Sequence, residues 1–131
     1  MIPLLLIFSS LAAAEWQPLT VVATAYCAKS CCCGPRAVGL TADGTDTKTW
    51  PYGVAVDPKI IPYETPILIP VGAGYLDRQS PTERVWYADD TGGIIRRRTR
   101  STGIPHIDLR FRTHRAAQQF GIKRITIWIY R

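Results

Sequence analysis

Between Arg124 and Tyr130 the chain reads RITIWIY, with isoleucine at every second position. Side chains along a strand alternate between its two faces, so Ile125, Ile127 and Ile129 share a face and Arg124, Thr126, Trp128 and Tyr130 share the other. Such a segment is stable only as part of a sheet whose one side is buried. The pattern recurs in shorter form. Residues 16–26, WQPLTVVATAY, are rich in β-branched and aromatic side chains. YGVAVD (52–57) alternates and ends at Asp57-Pro58, where an extended conformation is favoured. PILIPV (66–71), RVWYAD (84–89) and HIDLRF (106–111) complete the set. A helix is expected only at HRAAQQF, capped by Thr113 and stopped by Gly121. The stretches CGPRAVG, TADGTDTKTWPYG, VGAGYLDRQSP and RRRTRSTGIP read as turns and loops. Six short strands with one short helix make a mainly β chain, closed or nearly closed as a barrel.

The opening MIPLLLIFSSLAAAEW is apolar from Ile2 to Ala14. It is shorter than the roughly 20 residues a membrane span needs, and Ala12 and Ala14 suit a small-residue cleavage site. Residues 1–14 are therefore expected to be a secretory signal peptide and residues 15–131 a single domain. That domain would be exported to the periplasm, cell envelope or exterior, without stable membrane insertion and as a monomer.

Cys27, Cys31, Cys32 and Cys33 fall within seven residues. In an exported chain they are disulfide candidates. Two of the three full pairings require a bond between adjacent residues, which distorts its geometry; a single disulfide with two free thiols is the other arrangement. Zinc competes, since four thiolates make a closed tetrahedral site. Three consecutive cysteines can hardly aim every sulfur at one ion, so no metal is expected.

The formal charge is +6, from 16 Lys and Arg against 10 Asp and Glu. A basic surface suits an anionic polymer. Nucleic acid is set aside, because the arginines at 96–98 and 100 lack a flanking stacking platform. There is no serine-nucleophile motif, and no glycine-rich phosphate loop follows a strand, so no cofactor is expected. His106 and His114 read as a strand-end and a helix-surface residue.

Carboxylates remain. Asp57 (AVDP), Asp90 (YADDTGG) and Asp108 (HIDLRF) each stand at or inside a strand-like segment with apolar neighbours. Burial and nearby acids raise a carboxyl pKa, and a carboxylic acid protonated near neutral pH can protonate a glycosidic oxygen. Gly92 and Gly93 would permit positive φ and a close approach of sugar to backbone. Tyr26 and Thr41 offer hydroxyls. Trp50, Tyr52 and Trp86 offer faces for stacking, or core packing.

Taken in order, ATAYCAKSCCCG, GLTADG, VAVDPKIIPYETPILIP, ADDTGGIIR…HIDLRF and THRAAQQFGIKRITIWIY resemble the motifs of the 3D domain. That family is named for three aspartates and occurs in MltA-type lytic transglycosylases and small secreted cell-wall proteins. The resemblance implies a six-stranded double-psi β-barrel acting on peptidoglycan glycan strands. It puts the three aspartates at Asp57, Asp90 and Asp108, with Asp89 a bystander, and Asp90 favoured over Asp108 as a single acid/base. Tyr26, Thr41, Thr91, Gly92, Gly93 and Trp86 become substrate-binding candidates. The implied reaction cleaves the bond between N-acetylmuramic acid and N-acetylglucosamine and closes a 1,6-anhydro ring. A non-catalytic glycan-binding barrel is the alternative. The interval from Asp90 to Asp108 is longer than in similar proteins, and its excess, RRRTRSTGIP, is expected as an enlarged loop beside the cleft.

Overall fold

The computed structural model describes residues 13–34, 37–69 and 85–131. The expected signal peptide lies almost wholly outside the described residues, as does the turn-rich stretch VGAGYLDRQSP. The described residues hold six strands: β1 (Trp16–Cys27), β2 (Gly53–Ala55), β3 (Pro66–Leu68), β4 (Val85–Asp90), β5 (His106–Phe111) and β6 (Lys123–Tyr130). They hydrogen-bond in the ring β1-β5-β2-β4-β3-β6, which closes the sheet on itself. The β1–β5 and β2–β4 pairs are parallel and the other four antiparallel.

The alternation in β6 does what its period requires. Ile125, Ile127 and Ile129 are buried, while Arg124, Thr126 and Tyr130 are exposed. Each such isoleucine contributes roughly 1.5–3 kcal/mol on burial. The interior is completed by Val21, Ala23, Val54, Ile67, Ala88, Ile107 and Leu109. Trp86 sits among them, edge-on to Tyr52 at 5.6 Å and to Phe111 at 5.9 Å between ring centroids.

Three helices, not one, occur among the described residues. The expected one, α3 (His114–Phe120), follows β5 directly. Its Thr113 hydroxyl accepts from Ala116 N at 3.1 Å, Gly121 follows its end at φ 70°, and Ala117 and Phe120 are buried. A single turn, α1 (Ser30–Cys33), follows β1.

The third helix, α2 (Gly93–Thr102), replaces the loop expected between Asp90 and Asp108. Its arginines are good helix formers, and Gly103, in the left-handed conformation at φ 70°, donates its N–H to Thr99 O to end it. Only Ile95 and Thr99 are buried, four residues apart on one face, too few to register as an amphipathic period. The Thr99 hydroxyl accepts from His106 N at 3.0 Å and fastens α2 to the start of β5.

Candidate functional site

The barrel wall β1-β5-β2-β4 has two unlike faces. Register puts Ala23, Ile107, Leu109, Val54 and Ala88 on the inner one, all fully buried. The outer face carries Thr24 and Tyr26 of β1, Asp108 and Arg110 of β5, and Gly53 and Ala55 of β2. Between Val54 and Ala55 the pairing with β4 jumps from Ala88 to Asp90, leaving Asp89 as an extra residue. This bulge lets two successive acids serve one face, a common device beside functional sites.

Asp89 and Arg110 meet there. The guanidinium is fully buried and grips the carboxylate with both terminal nitrogens, Nη1 to Oδ1 at 2.8 Å and Nη2 to Oδ2 at 2.7 Å. Its remaining donors go to Pro51 O at 3.1 Å, Trp50 O at 3.1 Å and the Tyr26 hydroxyl at 3.3 Å. Asp89, expected as a bystander, is thus the anchor of a buried ion pair. Burial pushes its carboxyl up, and the Arg110 fork opposes that. The pair also organises the loop ahead of β2, whose Asp43 N donates to Asp89 O at 3.2 Å.

Asp90 and Asp108 lie one strand to either side of Ala55, which is register partner to both. Strand spacing sets their backbones roughly 10 Å apart, with only a methyl group between. Asp90 accepts from the Tyr26 hydroxyl at 2.7 Å and from Ala42 N at 3.0 Å. Burial pushes the Tyr26 phenol up, Arg110 pulls it back and Asp90 raises it again, so it serves here as a neutral donor. Asp108 accepts from the Thr24 hydroxyl through Oδ1 at 3.0 Å. No described residue donates to its Oδ2, which is not sealed from solvent. Burial pushes the Asp108 carboxyl up to about 6; the Thr24 hydrogen bond works against this, and the charge of Asp90 adds to it. Burial pushes the Cys33 thiol of α1 up to about 11, and the charges of Asp90 and Asp108 add to that shift.

Asp57 is held differently. Its Oδ1 accepts from Lys59 N at 3.1 Å and its Oδ2 from Arg100 Nε of α2 at 3.2 Å. Both oxygens are therefore occupied in fixing the turn after β2. Thr91 donates to Val56 O at 2.7 Å and accepts from Arg96 Nη1 at 2.9 Å. Thr41 donates to Asp43 Oδ1 at 2.7 Å and accepts from Thr45 N at 3.0 Å, which shapes the turn that offers Ala42 N to Asp90.

Two expectations are corrected. Gly92 and Gly93 are not in the positive-φ region; Gly92 is extended and caps α2, and Gly93 is its first residue. A Cβ at either would meet nothing closer than 3.9 Å. Trp86 offers no face to a ligand, because the two-residue alternation turns it inward with Ala88. Two exposed aromatics near the site are Trp50 and Tyr87, with ring centroids 6.5 Å apart. They border a hollow that Asp43, Thr45, Glu64 and Asp89 also line. A second, basic hollow runs along α2 between Gly93, Arg96, Arg97, Arg100 and Ser101.

Sequence reading missed Arg110, Thr24 and Tyr87. Arg110 had a signal: it lies two residues from Asp108, hence on the same face of an otherwise apolar strand.

The disulfide candidates Cys27, Cys31, Cys32 and Cys33 lie together at the end of β1 and in α1. All four cysteines are free thiols here, and Cys27 Sγ stands 3.0 Å from Cys31 Sγ, against about 2.05 Å for a bond. Cys31 and Cys32 crowd around Cys27 together, so none of the three forms an exclusive pair.

Comparison with known families gives a match to the 3D domain over residues 52–131. That span holds Asp57, Asp89, Asp90, Asp108 and Arg110, whereas Thr24, Tyr26 and the cysteines precede it. No curated protein matches the chain.

Proposed function

The chain belongs to the 3D domain family, found in lytic transglycosylase-like and cell-wall proteins, and on that premise we propose that it is an exported lytic transglycosylase of peptidoglycan. Asp108 is the acid/base, a reversal of the order suggested by resemblance alone. The observation that carries this reading is the state of Asp108: its carboxyl is pushed up to about 6 and keeps an oxygen free of donors from the described residues, beside Asp90. The barrel, with parallel pairs β1–β5 and β2–β4, takes the double-psi connectivity.

Protonated Asp108 gives its proton to the oxygen linking C1 of N-acetylmuramic acid to C4 of N-acetylglucosamine. The C1–O bond breaks and the glucosamine end leaves with that proton. Positive charge develops at C1, and Asp90, fixed by Tyr26 and Ala42 N, stabilises it across the gap left by Ala55. The muramyl C6 hydroxyl attacks C1 and returns its proton to Asp108, closing the 1,6-anhydro ring without water. One acid/base suffices, unlike the paired roles of glycoside hydrolases. Gly92 and Gly93 lack a Cβ where the fold would accept one, which leaves backbone open beside Asp90. The Trp50–Tyr87 pair and the α2 arginines extend the glycan-binding surface.

Digestion of purified peptidoglycan, with products separated by mass, tests this. Anhydro-muramyl ends are expected from the native chain and not from Asp108→Asn. Ordinary reducing ends would make the protein a hydrolase, and binding without cleavage would make it a glycan-binding barrel.

A further inference from the structure

The Cys27, Cys31, Cys32 and His114 side chains form a cluster that the glycan chemistry does not use. Their four donor atoms all lie within 4.8 Å of one another. Cys27 Sγ is 3.0 Å from Cys31 Sγ and 3.3 Å from Cys32 Sγ, and Cys32 Sγ is 3.4 Å from His114 Nδ1. Donors around one tetrahedral zinc, with Zn–S near 2.3 Å and Zn–N near 2.0–2.1 Å, stand about 3.5–3.8 Å apart. A disulfide would draw one pair together and leave the others apart; here three sulfurs and an imidazole share one centre.

The objection that three consecutive cysteines cannot converge is met by the backbone. The α1 turn points Cys31 and Cys32 at Cys27, at the end of β1, and sends Cys33 away to donate to Cys27 O at 3.3 Å. The fourth donor comes from the first residue of α3, far along the chain.

We propose that Cys27, Cys31, Cys32 and His114 bind one zinc ion in a closed Cys3His structural site. Binding replaces three thiol protons, which leave to solvent, with three Zn–S bonds, and takes the neutral imidazole as the fourth ligand; the charge of the centre is then −1. No position remains for water, so the ion is structural. It ties α1 to α3 and the end of β1.

The test uses the full chain, purified anaerobically with a phosphine reductant and titrated with Co2+, then with Zn2+ in competition. Expected are one Co2+ per chain, the visible absorption of tetrahedral cobalt and an intense near-ultraviolet thiolate-to-cobalt band, all displaced by Zn2+. His114→Ala, at the protein surface, should keep its circular dichroism. It should lose more affinity than the roughly 10- to 100-fold that removal of an outer-sphere partner causes. Cys33→Ser should bind as the native chain does. Zinc should also protect the exposed thiols of Cys31 and Cys32 from alkylation. Absence of the thiolate band overturns the proposal. So does a band unaffected by His114→Ala, or one lost with Cys33→Ser.

Discussion

Gly53 lies opposite Arg110 in the β2–β5 pairing, and a methyl group on Gly53 would stand 2.5 Å from the guanidinium Nη2. The same methyl would stand 2.5 Å and 2.6 Å from the two Asp89 oxygens. The buried ion pair lies flat on this glycine because nothing projects from it. Gly53→Ala should therefore destabilise the fold by about 1–3 kcal/mol, as overpacking does, and shift the urea midpoint down without changing its slope. An unchanged midpoint would mean that the pair can rise off β2.

Breaking that ion pair from one side is the harsher change. Asp89→Asn or Arg110→Met leaves a buried group without its partner, at a cost of about 3–5 kcal/mol. The double change Asp89→Asn with Arg110→Met should recover a large part of the loss, because the surviving charge is gone. Urea denaturation of all three variants measures this coupling, and strict additivity would sink it.

Asp108 links activity to pH. With its folded-state pKa raised from 3.8 to about 6, the native state holds a proton that the unfolded chain releases. Its stabilising contribution is greatest below about pH 4 and is lost as pH rises through about 6. Above that point the charged side chain costs up to roughly 2–3 kcal/mol at 1.36 kcal/mol per unit. Asp108→Asn keeps the acceptor for Thr24. It should raise the melting temperature at pH 7 but not at pH 4, while cleavage falls by about 10²–10⁴-fold. In the native chain, the rate should decline above about pH 6 as the acid loses its proton.

Tyr26→Phe removes the 2.7 Å hydrogen bond to Asp90 and leaves the ring in place. A hydrogen bond to a charged group is worth about 1.5–3 kcal/mol. The turnover rate should fall about 10-fold or more, with little change in KM. A loss confined to KM would argue that the hydroxyl holds substrate instead.

On α2, Arg97 and Arg98 are exposed. Charge reversal of both to Glu should weaken sedimentation with wall fragments in dilute buffer and make little difference near 1 M salt, where surface charges are screened. The fold should be unaffected.

The parts of the molecule readable from sequence are those governed by neighbours along the chain. β6 has its period of two, β5 its exact limits, and α3 its Thr113 cap and Gly121 stop. Helix α2 was hidden because it buries only Ile95 and Thr99, and its two leading glycines resemble a loop. The three acids were visible as residue types, but not their division of labour. That depends on the β4 bulge, which turns Asp89 towards Arg110, and on the register that places Asp90 and Asp108 about Ala55. Neither leaves a trace in local pattern. Trp86 was misassigned for a related reason: whether it faced inward depended on which face of β4 met the core.

The ring order has a kinetic consequence. Among the described residues β1 pairs with β5 and β6, with Trp16 opposite Tyr130 and Val22 opposite His106. Strands β2, β3 and β4 offer it nothing to pair with. Contacts this distant along the chain slow folding, because the connecting loop must be closed before they form. On a ribosome, the first strand made would wait until the last had emerged, and closure of the wall around Asp90 and Asp108 would be among the latest events of the protein's maturation.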